Sequence, residues 1–318
     1  MTRFAVWMLS AVTMISGLGM VFAQDYPNKP VRIVTSSVGG GTDFVARQIA
    51  QGISGPLGQQ VIVDNRPSGV IPGETVAKAA PDGYTLLAAG GILWMGPLIQ
   101  KTPYDAVRDF SPISLTARSP NVLVVHPSLP VKSVKELIAL ARARPGDLNY
   151  GSAGQGGSSH LAAELFKSMA GVNIVRIAYK GNPLVITDLI GGQIQLAFAS
   201  ATAVAPHIGS GRLKALAVTS VERSPLVPEL PTVAASGLPG YEAASMDAIF
   251  APAKTPAAII SRLNQEVVRV LSRADVKDKF LTAGVETVGS SVEETANKIK
   301  SEITRWEKVI KDAGIKSE

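Results

Sequence analysis

The stretch Val31-Arg32-Ile33-Val34-Thr35-Ser36-Ser37-Val38-Gly39-Gly40-Gly41-Thr42-Asp43 sets the reading of the chain. Val31 to Thr35 is a short β-branched run, the pattern of a buried strand. Three glycines follow. Beyond them Val45, Ile49, Ile53 and Leu57 recur every four residues, which puts one apolar stripe on a helix. Strand, glycine loop and helix in that order form the building unit of an α/β fold. A glycine run lets backbone N–H groups come close to a ligand, and the helix behind it adds unpaired donors and about half a positive charge.

The same device recurs at Ser152-Ala153-Gly154-Gln155-Gly156-Gly157-Ser158-Ser159-His160, ahead of a helix expected over 161–169. A single loop of this kind can be no more than a tight turn; two of one design favour an anion site between them. Neither loop contains Arg or Lys. Arg47, one turn beyond Asp43, is expected to pair with it on the helix. The anion would then be held by backbone and hydroxyl donors at ~1.5–3 kcal/mol for each charge-assisted bond. Offset by the cost of ordering ligand and protein, a handful gives roughly micromolar binding, about −8 kcal/mol.

Further strands are expected at 60–64, 85–88, 122–125, 174–178, 196–199, 216–219 and 249–250, with helical patterns between them. Ser133 to Glu136 and Ser291 to Glu294 have the form of capping boxes. Thr255 before Pro256 reads as an N-cap with Pro at the first helical position. Val292, Ala296, Ile299, Ile303, Trp306 and Ile310 give the last helix a stripe that must dock. The alternation predicts largely parallel sheets covered on both faces. Two proline-rich segments, Thr102 to Pro120 and Pro225 to Gly240, break the rhythm and are expected to cross between lobes. Residues 24–120 and 242–318 would form lobe I and residues 121–241 lobe II, with ligand in the cleft between them. Ahead of both, residues 1–23 have the form of a cleaved signal peptide: Arg3, an uncharged run from Phe4 to Phe22, and Val21-Phe22-Ala23 before the cut.

Composition narrows the chemistry. The 318 residues are 46% hydrophobic and 18% charged, with 31 basic and 25 acidic residues, three His and no Cys. Disulfides, thiolate metal sites and Cys nucleophiles are excluded, and no metal or cofactor is expected. Charge is scattered without a Lys/Arg run, so no nucleic-acid partner is expected. Tyr150-Gly151-Ser152-Ala153-Gly154 lacks the first Gly of the G-x-S-x-G elbow. His160 could serve Ser158 or Ser159 as a base, but a helix N-terminus disfavours its charged form. A secreted hydrolase therefore ranks behind a binding protein.

Tyr26-Pro27-x-Lys29-Pro30, Gly39 to Arg47, Val63-Asp64-Asn65-Arg66-Pro67, Pro81-Asp82-Gly83-Tyr84-Thr85-Leu86-Leu87, Leu148 to Gly154, Tyr179-Lys180-Gly181, Asp188-Leu189-x-Gly191-Gly192-Gln193 and Leu216-Ala217-Val218-Thr219 together resemble the Bug family, the tripartite tricarboxylate transporter receptors. The match runs in order along nearly the whole chain after the leader. It implies a two-lobed type II periplasmic-binding-protein fold and a small carboxylate ligand, a di- or tricarboxylate, an amino acid or an aromatic acid. It also implies two integral membrane partner subunits driven by an ion gradient, and a periplasmic monomer without catalysis. A receptor used for sensing, without its own transporter, is the nearest alternative.

The family's ligand loops map onto Ser37, Gly40, Gly41, Thr42 and Asp43, and onto Gly154, Gly156, Ser158 and His160. Gly90, Ser200 and Asp247 are implied as further contacts. The chain departs from the family pattern at Thr35-Ser36-Ser37-Val38, at Ser68-Gly69-Val70-Ile71 and at Met246-Asp247, where an aromatic wall gives way to an acid.

Overall fold

The computed structural model describes residues 26–36, 38–66, 70–153, 156–179 and 181–315. The expected leader, Ser37 and Gly154 lie outside the described residues.

Strand β1 (Val31–Thr35) leads through the first glycine loop into α1 (Gly41–Leu57), on which Val45, Ile49, Ile53 and Leu57 are all buried. Then come β2 (Val61–Asn65), α2 (Ile71–Ala77), β3 (Thr85–Gly90) and α3 (Ile92–Ile99). The chain continues as β4 (Phe110–Ser119), crosses at Pro120, and forms β5 (Asn121–Val125), α4 (Val134–Ala143), β6 (Asn149–Ala153) and α5 (Ser158–Ala170). Strand β7 (Val175–Tyr179), α6 (Asn182–Ile190), β8 (Leu196–Ser200), α7 (Ala201–Gly209) and β9 (Lys214–Val218) follow. The return brings β10 (Ser245–Pro252), α8 (Ala257–Leu271), α9 (Ala274–Thr282), β11 (Glu286–Thr287) and α10 (Val292–Asp312).

The strands form two sheets, ordered β11-β4-β10-β3-β1-β2 and β7-β6-β8-β5-β9. Period-two alternation sends adjacent residues to opposite faces. Ile33, Leu86 and Ile249 pack under α1 and α8, while Val34, Leu87 and Phe250 pack under α2, α3 and the first half of α10. In the second sheet Leu123 and Phe198 meet α4 and α5, and Val122, Val124 and Ala199 meet α6 and α7. Covered faces of this kind contribute about 1.5–3 kcal/mol for each large apolar side chain removed from water.

The structure corrects four expectations. The sheets are mixed: β10 is antiparallel to β3 and β4, and β5 is antiparallel to β8 and β9. The segment 102–120 is no simple crossing, because Phe110–Ser119 is a ten-residue strand. Pro112 is tolerated there beside a register shift in β10, at Ile249/Phe250, where a missing N–H does least harm. The segment 225–240 likewise runs along β9, with Val218 N–H donating to Pro231 and Val233 N–H returning to Val218. At the helix starts, the Ser291 capping box is present, whereas the N-cap of α8 is Pro256 and Thr255 bonds Pro252 instead.

The two chain crossings are tied by one residue. Thr219, fully buried, accepts the Asn121 N–H at 2.8 Å on its hydroxyl and donates that hydroxyl to the Ala243 carbonyl at 3.2 Å. Helix α10 makes a second link: Ile299 joins the core of the first sheet, and Trp306, Val309 and Ile310 join that of the second.

Candidate ligand site

The two glycine loops have one geometry. Gly39 and Gly156 are left-handed, with φ of 81° and 71°. Each is followed by an extended glycine N-cap, Gly40 (φ −77°, ψ 165°) and Gly157 (φ −69°, ψ 164°), and neither cap has a side-chain hydrogen bond. The first intrahelical bonds are Phe44 N–H to Gly40 O and Leu161 N–H to Gly157 O. Residues 41–43 and 158–160 therefore carry the N–H groups that an α-helix leaves without an internal acceptor.

A side chain four residues on pins each glycine. Gly39 N–H donates to Asp43 Oδ2 at 2.9 Å, and Gly156 N–H donates to His160 Nδ1 at 3.0 Å. Asp43, only 3% exposed, also accepts from Asn65 Nδ2 at 2.8 Å and pairs with Arg47 at 3.0 Å. Burial alone would raise its pKa, but bonds from Arg47, Asn65 and Gly39 hold it below the usual carboxylate value. Its carboxylate is thus engaged inside the loop rather than offered to the cleft. His160 is buried as well; burial first, then the Arg176 charge, push its pKa down to about 4, so the ring is neutral at pH 7. Accepting at Nδ1 leaves its proton on Nε2.

Across from the loops, β3 and β10 meet at the Gly90–Asp247 pair. A Cβ on Gly90 would lie 2.7 Å from Asp247 Oδ1, so this glycine makes room for the carboxyl. Thr42 Oγ1 donates a long bond to Asp247 Oδ1 at 3.4 Å, which joins the first glycine loop to β10. Burial pushes the Asp247 pKa up to about 6, against the smaller opposing effect of Thr42. Ser200 is the partly exposed, uncapped N-cap of α7, opposite Asn121 in the sheet register.

Between the lobes lies a cavity of about 240 Å3. Gly156, Gly157, Ser158 and Leu161 line one side, and Gly91, Ile92, Trp94, Met95 and Ile99 the other. Ala243 to Met246, Glu302 and Trp306 close it. Of the residues singled out by sequence, Gly156 and Ser158 line this space; Gly40, Gly41, Thr42, Asp43, Gly90, His160, Ser200 and Asp247 do not. The sequence reading did not single out the α3 and α10 walls. The docking stripe on α10 was the available signal, but its partner could not be read from it.

The family model for the tripartite tricarboxylate transporter family receptor matches residues 45–315. Protein BugT of Bordetella pertussis is 37% identical over 302 residues, 93% of each chain. The solved structure of R. palustris Rpa4515 with adipate is 39% identical, with a TM-score of 0.72 over 92% of this chain and 99% of that one. MatC from Rhodopseudomonas palustris with bound malate is 29% identical, with a TM-score of 0.68 over 90% of this chain and 100% of that one.

Proposed function

We propose that this chain, which belongs to the tripartite tricarboxylate transporter receptor family, captures a small carboxylate between its two lobes and delivers it to membrane transporter subunits. The observation that carries the reading is the pair of matching glycine-capped helix N-termini, α1 and α5, whose caps have no side-chain bond. Such ends stabilise an anion through N–H donors and the helix dipole. Adipate in Rpa4515 and malate in MatC are small carboxylates, and they support a ligand of that class and size.

In this reading residues 24–120 and 242–318 make one lobe and 121–241 the other, with α10 packed on both. The chain works as a monomer in the periplasm after loss of residues 1–23, opposite two integral membrane subunits. It turns nothing over: His160 spends Nδ1 on Gly156 and is held neutral, which leaves Ser158 and Ser159 without a general base. If its carboxyl faces the cleft, Asp247 adds a bond for a ligand hydroxyl or amine beside Thr42. Calorimetry on Asp247→Ala checks that role, and unchanged selectivity discards it.

A thermal-shift screen of mono-, di- and tricarboxylates tests the main reading. A ligand at 100 times its Kd adds ~2.7 kcal/mol, or roughly 2–4 °C for each kcal/mol in a chain of this size. No shift with any carboxylate would refute it.

A further inference from the structure

Resting on that reading, we infer that the preferred ligand is a carboxylate with an apolar body, an aryl ring or a chain of several methylenes, seated against α3 and α10. The cavity is mixed in a particular way. Its polar rim is the start of α5, where Gly157 is uncapped and Ser158 is exposed. Its opposite wall is side chain rather than backbone: Trp94, Met95 and Ile99 from α3, Met246 from β10 and Trp306 from α10. An anion held at the α5 N-terminus would therefore project the rest of its structure onto hydrocarbon and indole.

The acid on that wall does not undo its character. Glu302 is 2% exposed, accepts the Trp306 indole N–H at 2.8 Å and is paired with Arg305 and Lys298, so its charge is spent within α10. Trp94 is 2% exposed, and its indole N–H has no acceptor among the described residues. The wall thus asks for an apolar group with at most one acceptor, not for a second carboxylate. Close contacts keep the space narrow. A Cβ on Gly91 would lie 2.4 Å from Met95 Cε, and one on Gly156 would lie 2.8 Å from Ile99 Cδ1. At about 240 Å3 the cavity lies just below the usual range of small-molecule sites and suits a single ring or short chain.

Titration calorimetry on the purified chain, with malate, hexanoate and 3-phenylpropionate as probes, tests the inference. Each methylene buried strengthens binding by about fourfold, so hexanoate and 3-phenylpropionate should bind at least tenfold tighter than malate. Ile99→Asn should erase that advantage. Met95→Gln serves as the second variant should Ile99→Asn fail to fold. If malate binds as tightly as the apolar acids, or if a folded variant leaves their advantage intact, this inference is overturned while the carboxylate receptor stands. If no carboxylate in the wider screen binds, both are overturned.

Discussion

Asp43 and His160 occupy matching stations in the two lobes, each accepting the backbone N–H of a left-handed glycine four residues earlier. One uses a carboxylate and the other a neutral imidazole. The two bonds hold the Gly39 and Gly156 N–H groups in place, an ordering that would lower the cost of binding the proposed ligand. The negative charge of Asp43 sits near a site proposed for anions, and Arg47 balances it.

Asp43→Ala is expected to destabilise the fold by about 2–3 kcal/mol, because it strands the Gly39 and Asn65 donors. Asp43→Asn should cost less, since an amide oxygen still accepts from Gly39. Urea unfolding at pH 7 measures both. Equal stability of Asp43→Ala and the parent would remove the stapling role.

The pH profile of stability should contain two opposed contributions. His160 has a folded pKa below its unfolded one, so its contribution is present above pH 6.5 and is lost as pH falls toward 4. Asp247 has a folded pKa above its unfolded one, so stability it costs at neutral pH returns as pH falls through 6. Each amounts to on the order of 2–3 kcal/mol at most. Between pH 4.5 and 6.5 the parent should therefore vary little. Asp247→Asn should lose stability on acidification in that window, and His160→Asn should gain it. Urea midpoints that move together in both variants would contradict the assignment.

Gly39 and Gly156 separate strain from crowding. Both are left-handed, but a Cβ at Gly39 meets nothing within 4 Å, whereas one at Gly156 meets Ile99 at 2.8 Å. Gly39→Ala should cost about 1–2 kcal/mol from backbone strain alone. Gly156→Ala should cost more, and Ile99→Ala in the same chain should recover only the difference. Thermal unfolding of the three variants checks the order.

Thr219→Val keeps the side-chain shape but removes the hydroxyl that ties Asn121 to Ala243. It should cost about 1–3 kcal/mol, because the Asn121 N–H stays buried without its acceptor. Faster amide exchange at Asn121 is the specific signature, and unchanged exchange there would reject the tie.

The strand–glycine–helix order of the first loop was readable because its signals are local: a β-branched run, three glycines and a four-residue apolar repeat. The spacing of Gly39 to Asp43 and of Gly156 to His160 also held the staple, though nothing local said that the side chains turn back. Strand β4 was hidden by Pro103, Pro112 and Pro120, which read as loop because strand prolines are tolerable only where the ladder is already irregular. The α3 and α10 walls were unreadable for another reason. Ile99 and Trp306 are far apart in the chain, and the docking stripe that holds Trp306 does not name the helix it meets.

Both N-caps are glycine, so the donors offered to an anion belong to the main chain. No substitution at the surrounding side chains removes them. In the proposed receptor, the grip on the charged group and the choice of what is attached to it are thus written in different places: one in backbone shape, the other in Trp94, Ile99 and Trp306. A chain built this way can be redirected to a new solute, by selection or by design, through wall residues alone while the charge-holding frame is left untouched.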